Sequence, residues 1–425
     1  MSLPAKRVVR IAQTHAGSAN LDGPRGSFMT RFASGQKAAR ECLTGGLPTG
    51  GLQTGGTGTA ASLSLATASS VGRDTTGFGS SGQSPGQDNA ARNETRPTLH
   101  LIGPGQVGRE FLAQARALPV RIVAVSDSKA TVFDRQGLDT AAIQQHKQDG
   151  GSLATLPRAE AIPTELAIGV VAADFVVDAT PTSVAGTAAA VLRGRAALRG
   201  GAFLCLCGKN ALAAAGPEWL LGSHRARLGI QAVLGGAGQA LLRELDELRA
   251  QCSSLALVGN VTTTVIVQAI EAGASIEEGI AVARERGLLE PDPTLDLDGS
   301  DAATKLAAVF GAVFGEPWLA VPAVERIGKQ DLRTLDVGVV RERARRGATT
   351  RLVARASRDG ADLRVGYEEL PLGSPLAAPP DRVVYGYELP SGLRVHTGLA
   401  LGHARTAGAL VEDVAQALRT LEVTR

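Results

Sequence analysis

An α/β protein is what the sequence predicts, on three observations. A short apolar run, Thr98 to Ile102, passes at once into Gly103-Pro-Gly105-Gln106-Val107-Gly108 and then into helical spacing from Arg109 to Leu118. A strand feeding a glycine-rich turn that opens a helix begins a doubly wound, Rossmann-type nucleotide-binding domain. Its glycines allow the tight turn and let backbone N–H groups and the helix dipole approach a pyrophosphate. Next, Ala-, Val- and Leu-rich strands alternate with Ala-rich helices through residue 228, as parallel strands covered by helices require. Beyond it the pattern changes to helices followed by strands separated by turn residues, an α+β second domain.

Composition narrows the classes. The 425 residues are 44% apolar but only 3% aromatic, so the core must be built from aliphatic side chains. A net charge of +3, with no basic block interleaved with aromatics, argues against a nucleic-acid partner. No uncharged apolar run reaches the roughly 18 residues that a membrane span needs. Cys42, Cys205, Cys207 and Cys252 include no C-x-x-C pair and read as reduced thiols of a reducing, cytoplasmic compartment.

Residues 1–96 read as a disordered low-complexity extension. Most positions between Thr44 and Gln87 are Gly, Ser or Thr, and Thr-Gly-Gly recurs at Thr44, Thr49 and Thr54. Such a segment has too little apolar content to offset chain entropy. Its start is Arg-rich and acid-poor, a bias shared with organelle-targeting peptides. An arginine-rich extension without an address is the preferred reading.

In the nucleotide domain, Gly103, Gly105, Gln106, Val107 and Gly108 form the candidate pyrophosphate loop. The second strand, Arg121 to Ser126, ends at Asp127, where an acid would bond the adenosine ribose hydroxyls and favour NAD. Lys129 pulls towards a 2′-phosphate, so the coenzyme choice stays open. Residues 134–165 read as a helix and an exposed loop, without chemistry for His146. Ala173 to Thr180 reads as the fourth strand and Gly201 to Cys207 as another. Open α/β sheets bind ligands beyond the carboxyl ends of their strands, which puts Lys209 at the nicotinamide. A lone lysine at a strand end is more often a solubilising charge.

The most informative stretch is Gly287-Leu-Leu-Glu290-Pro-Asp292-Pro-Thr-Leu-Asp296-Leu-Asp298-Gly299-Ser-Asp301-Ala-Ala-Thr-Lys305. Pro291 and Pro293 stiffen a loop, and a helix starts after Asp298 or Ser300. Asp301 and Lys305 then share one helix face. An Asp/Lys pair at this spacing is usually a solvated surface pair. The ordered set of acids before it is not usual, and it closely resembles the motif of homoserine dehydrogenases.

That resemblance covers residues 97–423 and implies reduction of aspartate semialdehyde to homoserine with NAD(P), a step towards threonine and methionine. It implies Lys305 as acid/base, with Lys209 orienting substrate and nicotinamide. Glu290, Asp296 and Asp301 would bind the amino-acid substrate. The Asp-x-Thr end of the strand at Thr180 resembles the family's strand beside the cofactor. Gly398 to Gly402 resembles a glycine loop touching it, with Gly402 retained.

Departures are visible. Gly208 stands where the family has Asn. Gln231 and Gln239 replace the usual Glu and Pro of a loop that helps hold a monovalent cation in some relatives, which argues against that cation here. Asn260-Val261-Thr262 replaces Asn-Gly-Thr, and Val261 resists positive φ. The resemblance also implies a homodimer formed through an added sheet with strands at Thr349 to Ala356, Leu363 to Leu370 and Arg382 to Glu388, and a further strand at Arg394 to Gly398.

The expected organisation is therefore a dinucleotide-binding domain over 97–228, a substrate-binding, catalytic and dimerisation domain over 229–397, and a loop and helix over 398–425 returning to the first domain. Two alternatives remain: a related oxidoreductase of another amino-acid aldehyde, and a nucleotide-binding paralogue without turnover.

Overall fold

The computed structural model describes residues 96–183, 185–289, 293–315, 324–399 and 402–423. The low-complexity extension up to residue 95 lies outside them, as does Glu290.

From Thr98 the chain builds a parallel sheet. β1 (Thr98–Ile102) turns through the glycines into α1 (Gln106–Gln114), and β2 (Arg121–Ser126) returns parallel to β1. β3 (Thr131–Phe133), α2 (Thr140–Gln148), β4 (Ala159–Glu160) and α3 (Thr164–Val171) follow. β5 (Phe175–Asp178), α4 (Thr187–Arg199), β6 (Phe203–Leu206), α5 (Lys209–Leu220) and β7 (Leu228–Gly229) complete the order β4-β3-β2-β1-β5-β6-β7. Burial of nearly every residue of β1, β5 and β6 explains their continuous apolar runs. The strand expected as the fourth is the fifth in the chain, because β3 and β4 add an antiparallel edge beside β2. With so few residues in each, neither shows a period that could reveal it.

The second half forms α6 (Gly238–Gln251), β8 (Ser254–Val258), α7 (Val261–Glu271), α8 (Ile276–Glu285), α9 (Thr294–Leu297) and α10 (Ser300–Val313). After these come β9 (Gly328–Lys329), α11 (Val337–Arg345), β10 (Ala348–Ser357), β11 (Leu363–Pro371), β12 (Arg382–Leu389) and β13 (Gly392–Leu399). These strands pair in the order β13-β12-β8-β10-β11-β9. The expected strands are present, and β8 enters between β12 and β10, an insertion the sequence pattern does not announce.

Two features position the site. α10 is buried from Ala302 to Val313 except at Lys305, and packs against α5, so its alanines allow two helix backbones to approach closely. α12 (His403–Val423) packs on α1 and reaches β6 and β7, covering the first sheet with Ala407, Leu410 and Val414. The nucleotide-binding half is thus closed by the far end of the chain.

Candidate active site

The glycine loop has the shape a pyrophosphate requires. Gly103 has φ +82°, and a Cβ there would stand 3.0 Å from the Thr180 backbone nitrogen. A Cβ on Gly108 would meet the Gly103 carbonyl oxygen at 2.2 Å. Gly105 is the N-cap of α1, and no side chain caps it, leaving the first-turn N–H groups of Gln106 and Val107 without a side-chain acceptor. This cradle fits a dinucleotide. Thr180 wedges beside it, its hydroxyl donating to Asp178 Oδ1 at 2.5 Å and accepting from Arg193 Nη2 at 2.9 Å. A Cβ on Gly208 would lie 3.2 Å from the Thr180 carbonyl, so the same residue touches the turn into Lys209. Asn210 fills the space beside Gly208 and donates to the Ser183 carbonyl at 3.0 Å.

Lys209 is the first residue of α5, immediately past the carboxyl end of β6, and its own backbone N–H donates to Thr182 Oγ1 at 3.1 Å. On the other side, Gly299 takes φ +81° and releases the chain into α10, with Asp301 in its first turn. The Asp301 carboxylate joins the two halves. Its Oδ2 accepts from Lys305 Nζ at 2.7 Å, and its Oδ1 faces Lys209 Nζ at 3.4 Å. Lys305 Nζ also donates to the carbonyl of Gly259, the residue that follows β8.

Asn260 donates to Asp296 Oδ1 at 2.8 Å and to Asp301 Oδ2 at 3.4 Å, and Thr262 donates to Asp296 Oδ2 at 3.3 Å. Lys209, Asp296, Asp301 and Lys305 therefore meet in one cluster. The three linked side chains keep a small exposed fraction: 22% for Lys209, 19% for Asp301 and 12% for Lys305. A solute can reach them. The predicted ligand Glu290 lies outside the described residues.

The electrostatics follow from this packing. Burial resists ionisation of Asp301, but Lys305 and Lys209 outweigh it and hold the carboxyl well below the usual carboxylate range. Burial likewise disfavours the Lys209 ammonium, yet the Asp301 charge prevails and its pKa is raised. Asp296 moves up, through burial first and the neighbouring Asp301 charge second, against the pull of Asn260 and Lys305. A fixed cation, a fixed anion and a more easily protonated acid stand side by side.

Other expected residues sit differently. Asp127 follows β2, but its carboxylate is already engaged by Lys129, Ala130, Lys147 and Leu153. Gly402 is exposed, its carbonyl accepting from Arg405 and Thr406, and the next turn contacts the end of α1 through Gln114 Nε2 on the Ala404 carbonyl at 2.8 Å. Val261 is the first residue of α7, so no positive φ is required there, and the Asn260 side chain caps the helix on Thr263 N–H at 2.9 Å.

At the altered loop, Gln231 Oε1 accepts from Gln239 N–H at 3.0 Å. Gln239 Nε2 and Gln231 N–H both donate to Asp413, at 3.2 and 3.0 Å. Among the described residues no group of three or more His, Cys, Asp or Glu side chains could hold a metal ion. The sequence reading missed Asp413 entirely. It noted Asn260 and Thr262 only as motif positions, although an Asn before a helix is a capping signal.

The chain is similar to known dehydrogenases in sequence and in fold. A family model described as homoserine dehydrogenase matches residues 241–415, and one for glutamate/leucine/phenylalanine/valine dehydrogenase matches residues 53–197. The chain is 25% identical to an NAD(+)-dependent homoserine dehydrogenase of Pseudomonas canavaninivorans, over 75% of this chain and 96% of that protein. It is 26% identical to a homoserine dehydrogenase of Methanocaldococcus jannaschii, over 46% of this chain and 60% of that one.

A glycine cradle of the dinucleotide-binding type, with two lysines on one carboxylate beside it, is the arrangement expected of a dehydrogenase with this fold. In fold it is similar to a putative homoserine dehydrogenase from Archaeoglobus fulgidus, with a TM-score of 0.61 at 20% identity over 75% of this chain and 98% of that one. A hyperthermophilic archaeal homoserine dehydrogenase in complex with NADPH gives 0.60 at 20% identity, over 77% and 98%. The chain is thus similar to homoserine dehydrogenases in sequence, over residues 241–415 by the family model, and in fold.

Proposed function

We propose that this chain interconverts L-homoserine and L-aspartate 4-semialdehyde with NAD(P). The observation that carries the reading is the Asp301 carboxylate shared by Lys305 and Lys209, one lysine from each half of the molecule. When bound, the coenzyme supplies the hydride to the aldehyde carbon and accepts it in the reverse direction. Lys305 holds the proton that neutralises the new alkoxide oxygen, and takes it back when homoserine is oxidised. Lys209 stays charged and stabilises negative charge developing on that oxygen.

Asp301 orients both ammonium groups. Asp296, steadied by Asn260 and Thr262, and Glu290 are assigned to the substrate's ammonium end. The dinucleotide would lie along Gly103 to Gly108 with Thr180 beneath it, and Gly402 is carried as a further contact. On this reading the dinucleotide-binding function belongs to residues 97–228 and 398–425, and the substrate function to 229–397.

A homodimer through the six-stranded sheet belongs to the same reading. A cytoplasmic site of action belongs to it as well, supported by the unpaired, buried Cys205 and Cys252. No described helix is long and apolar enough to cross a membrane.

The deciding experiment is a spectrophotometric assay of homoserine oxidation at alkaline pH, with NAD and NADP run side by side. Turnover with either supports the reading. Coenzyme binding by calorimetry with no oxidation of homoserine would refute it and favour a paralogue that holds nucleotide without turnover.

A further inference from the structure

Asp127 stands at the carboxyl end of β2, where a dinucleotide fold places the acceptor for the adenosine ribose hydroxyls. Its acceptor capacity is already used. Oδ1 receives the backbone N–H groups of Lys129 at 2.9 Å and Ala130 at 3.0 Å, while Oδ2 receives Lys147 Nζ at 3.1 Å and Leu153 N–H at 3.3 Å. An ionised carboxylate offers about four lone-pair positions. A ribose diol arriving here would have to displace a donor. Burial resists the Asp127 charge, yet these donors hold its pKa below the ordinary value, so it remains a charged, occupied group.

Lys147 comes from the last turn of α2 and is only 18% exposed, so it is placed rather than waving in solvent. Its backbone carbonyl accepts from Arg109 Nη1 at 3.1 Å, which ties the end of α2 to the helix that opens at the pyrophosphate loop. Lys129 is exposed on the same turn as Asp127. Two cations therefore flank one anion at the adenosine end, Lys147 paired with Asp127 and Lys129 on the same turn. An ammonium has three donors, and Lys147 spends one on Asp127, leaving others for phosphate oxygens.

We propose that Lys147 sets the coenzyme preference: it closes Asp127 to the ribose diol and presents an ammonium to a 2′-phosphate, so that the site takes NADP over NAD. This rests on the reading of Gly103 to Gly108 as a dinucleotide loop. A 2′-phosphate carries roughly −1.5 to −2 charges near neutral pH, enough to answer the local positive excess.

The test uses the full chain and two nucleotide fragments, 2′,5′-ADP and 5′-ADP, titrated calorimetrically at low salt. The wild type is expected to bind 2′,5′-ADP about tenfold or more tightly than 5′-ADP, and Lys147→Met to remove most of that difference. Equal binding, tighter binding of 5′-ADP, or a preference untouched by Lys147→Met overturns the proposal. If that variant does not fold, Lys147→Gln, which keeps a donor for Asp127 but not the charge, is titrated in its place with the same expected loss. Binding of neither fragment overturns both this proposal and the glycine-loop reading. Retained discrimination with no homoserine turnover removes the proposed substrate while leaving this inference standing.

Discussion

Lys209, at the head of α5 in the first sheet's half, reaches Asp301, in the first turn of α10 in the second half, at 3.4 Å. Neither residue could hold this position alone. The close packing of α5 on α10 sets the distance, and Lys305, one helical turn beyond Asp301, takes the other carboxylate oxygen. Surface pairs of this spacing contribute little, but here both lysines are mostly enclosed.

Lys305 has a second anchor, the Gly259 carbonyl, that aims its ammonium without neutralising it. Lys305→Ala is expected to lower kcat by about 100-fold or more and to leave the KM for coenzyme nearly unchanged. Steady-state kinetics with each substrate varied in turn would show this. Near-normal turnover would remove Lys305 from the proton-transfer role.

Asp301 governs the pH behaviour. Its own carboxyl is depressed, so the stability it contributes is present above the unfolded value of roughly 3.9 and is lost only as pH falls through its lower folded value. It therefore does not titrate in the working range. Lys209 is raised because Asp301 outweighs the cost of burial. Asp301→Asn removes that support, so Lys209 should lose its proton at lower pH and the alkaline limb of kcat/KM should move down. A pH–rate profile whose alkaline limb stays in place would contradict this electrostatic account.

Much of this could be read from the chain because the relevant signals are local. The glycine loop follows its strand directly, and the run from Asp296 to Lys305 fixes a turn and a helix face within a few residues. What stayed hidden depends on contacts distant in sequence. β8 is a short apolar segment between two helices, and periodicity cannot separate it from a buried helix turn. Asp127 looked like an open ribose acceptor because Lys147 and Leu153 lie too far along the chain to suggest themselves as its partners. The substitutions Gln231 and Gln239 read as losses because their partners are distant or unannounced: the Gln231 side chain accepts from Gln239 N–H, and the Gln239 side chain donates to Asp413.

The glycines flanking the loop after β13 should differ sharply. A Cβ on Gly398 would lie 1.9 Å from the Gly235 carbonyl oxygen and 2.9 Å from Val383 Cγ2, whereas among the described residues nothing stands within 4 Å of one on Gly402. Gly398→Ala is expected to cost about 3 kcal/mol or more, and Gly402→Ala to stay within about 0.5 kcal/mol. Denaturant midpoints would give both values. A raised KM for coenzyme in the stable Gly402→Ala protein would support the assigned contact, and an unchanged KM would remove it.

Asp413 is a fully buried carboxyl with no cation beside it among the described residues. Burial pushes its pKa up to about 7, with the Glu412 charge adding to the rise, while Gln231 N–H and Gln239 Nε2 pull the other way. Cys205, buried nearby, feels the same charge. A folded value above the unfolded one means that the folded state keeps the proton where the unfolded chain has released it. Stability from this group is thus greatest at low pH and declines as pH rises through about 7. Asp413→Asn retains an acceptor for Gln231 and removes the buried charge. Its melting temperature relative to wild type should rise between pH 5 and pH 8, by several degrees if the penalty is on the order of 1–3 kcal/mol. Parallel melting curves for the two proteins across that range would show that the Asp413 carboxyl is not the titrating group.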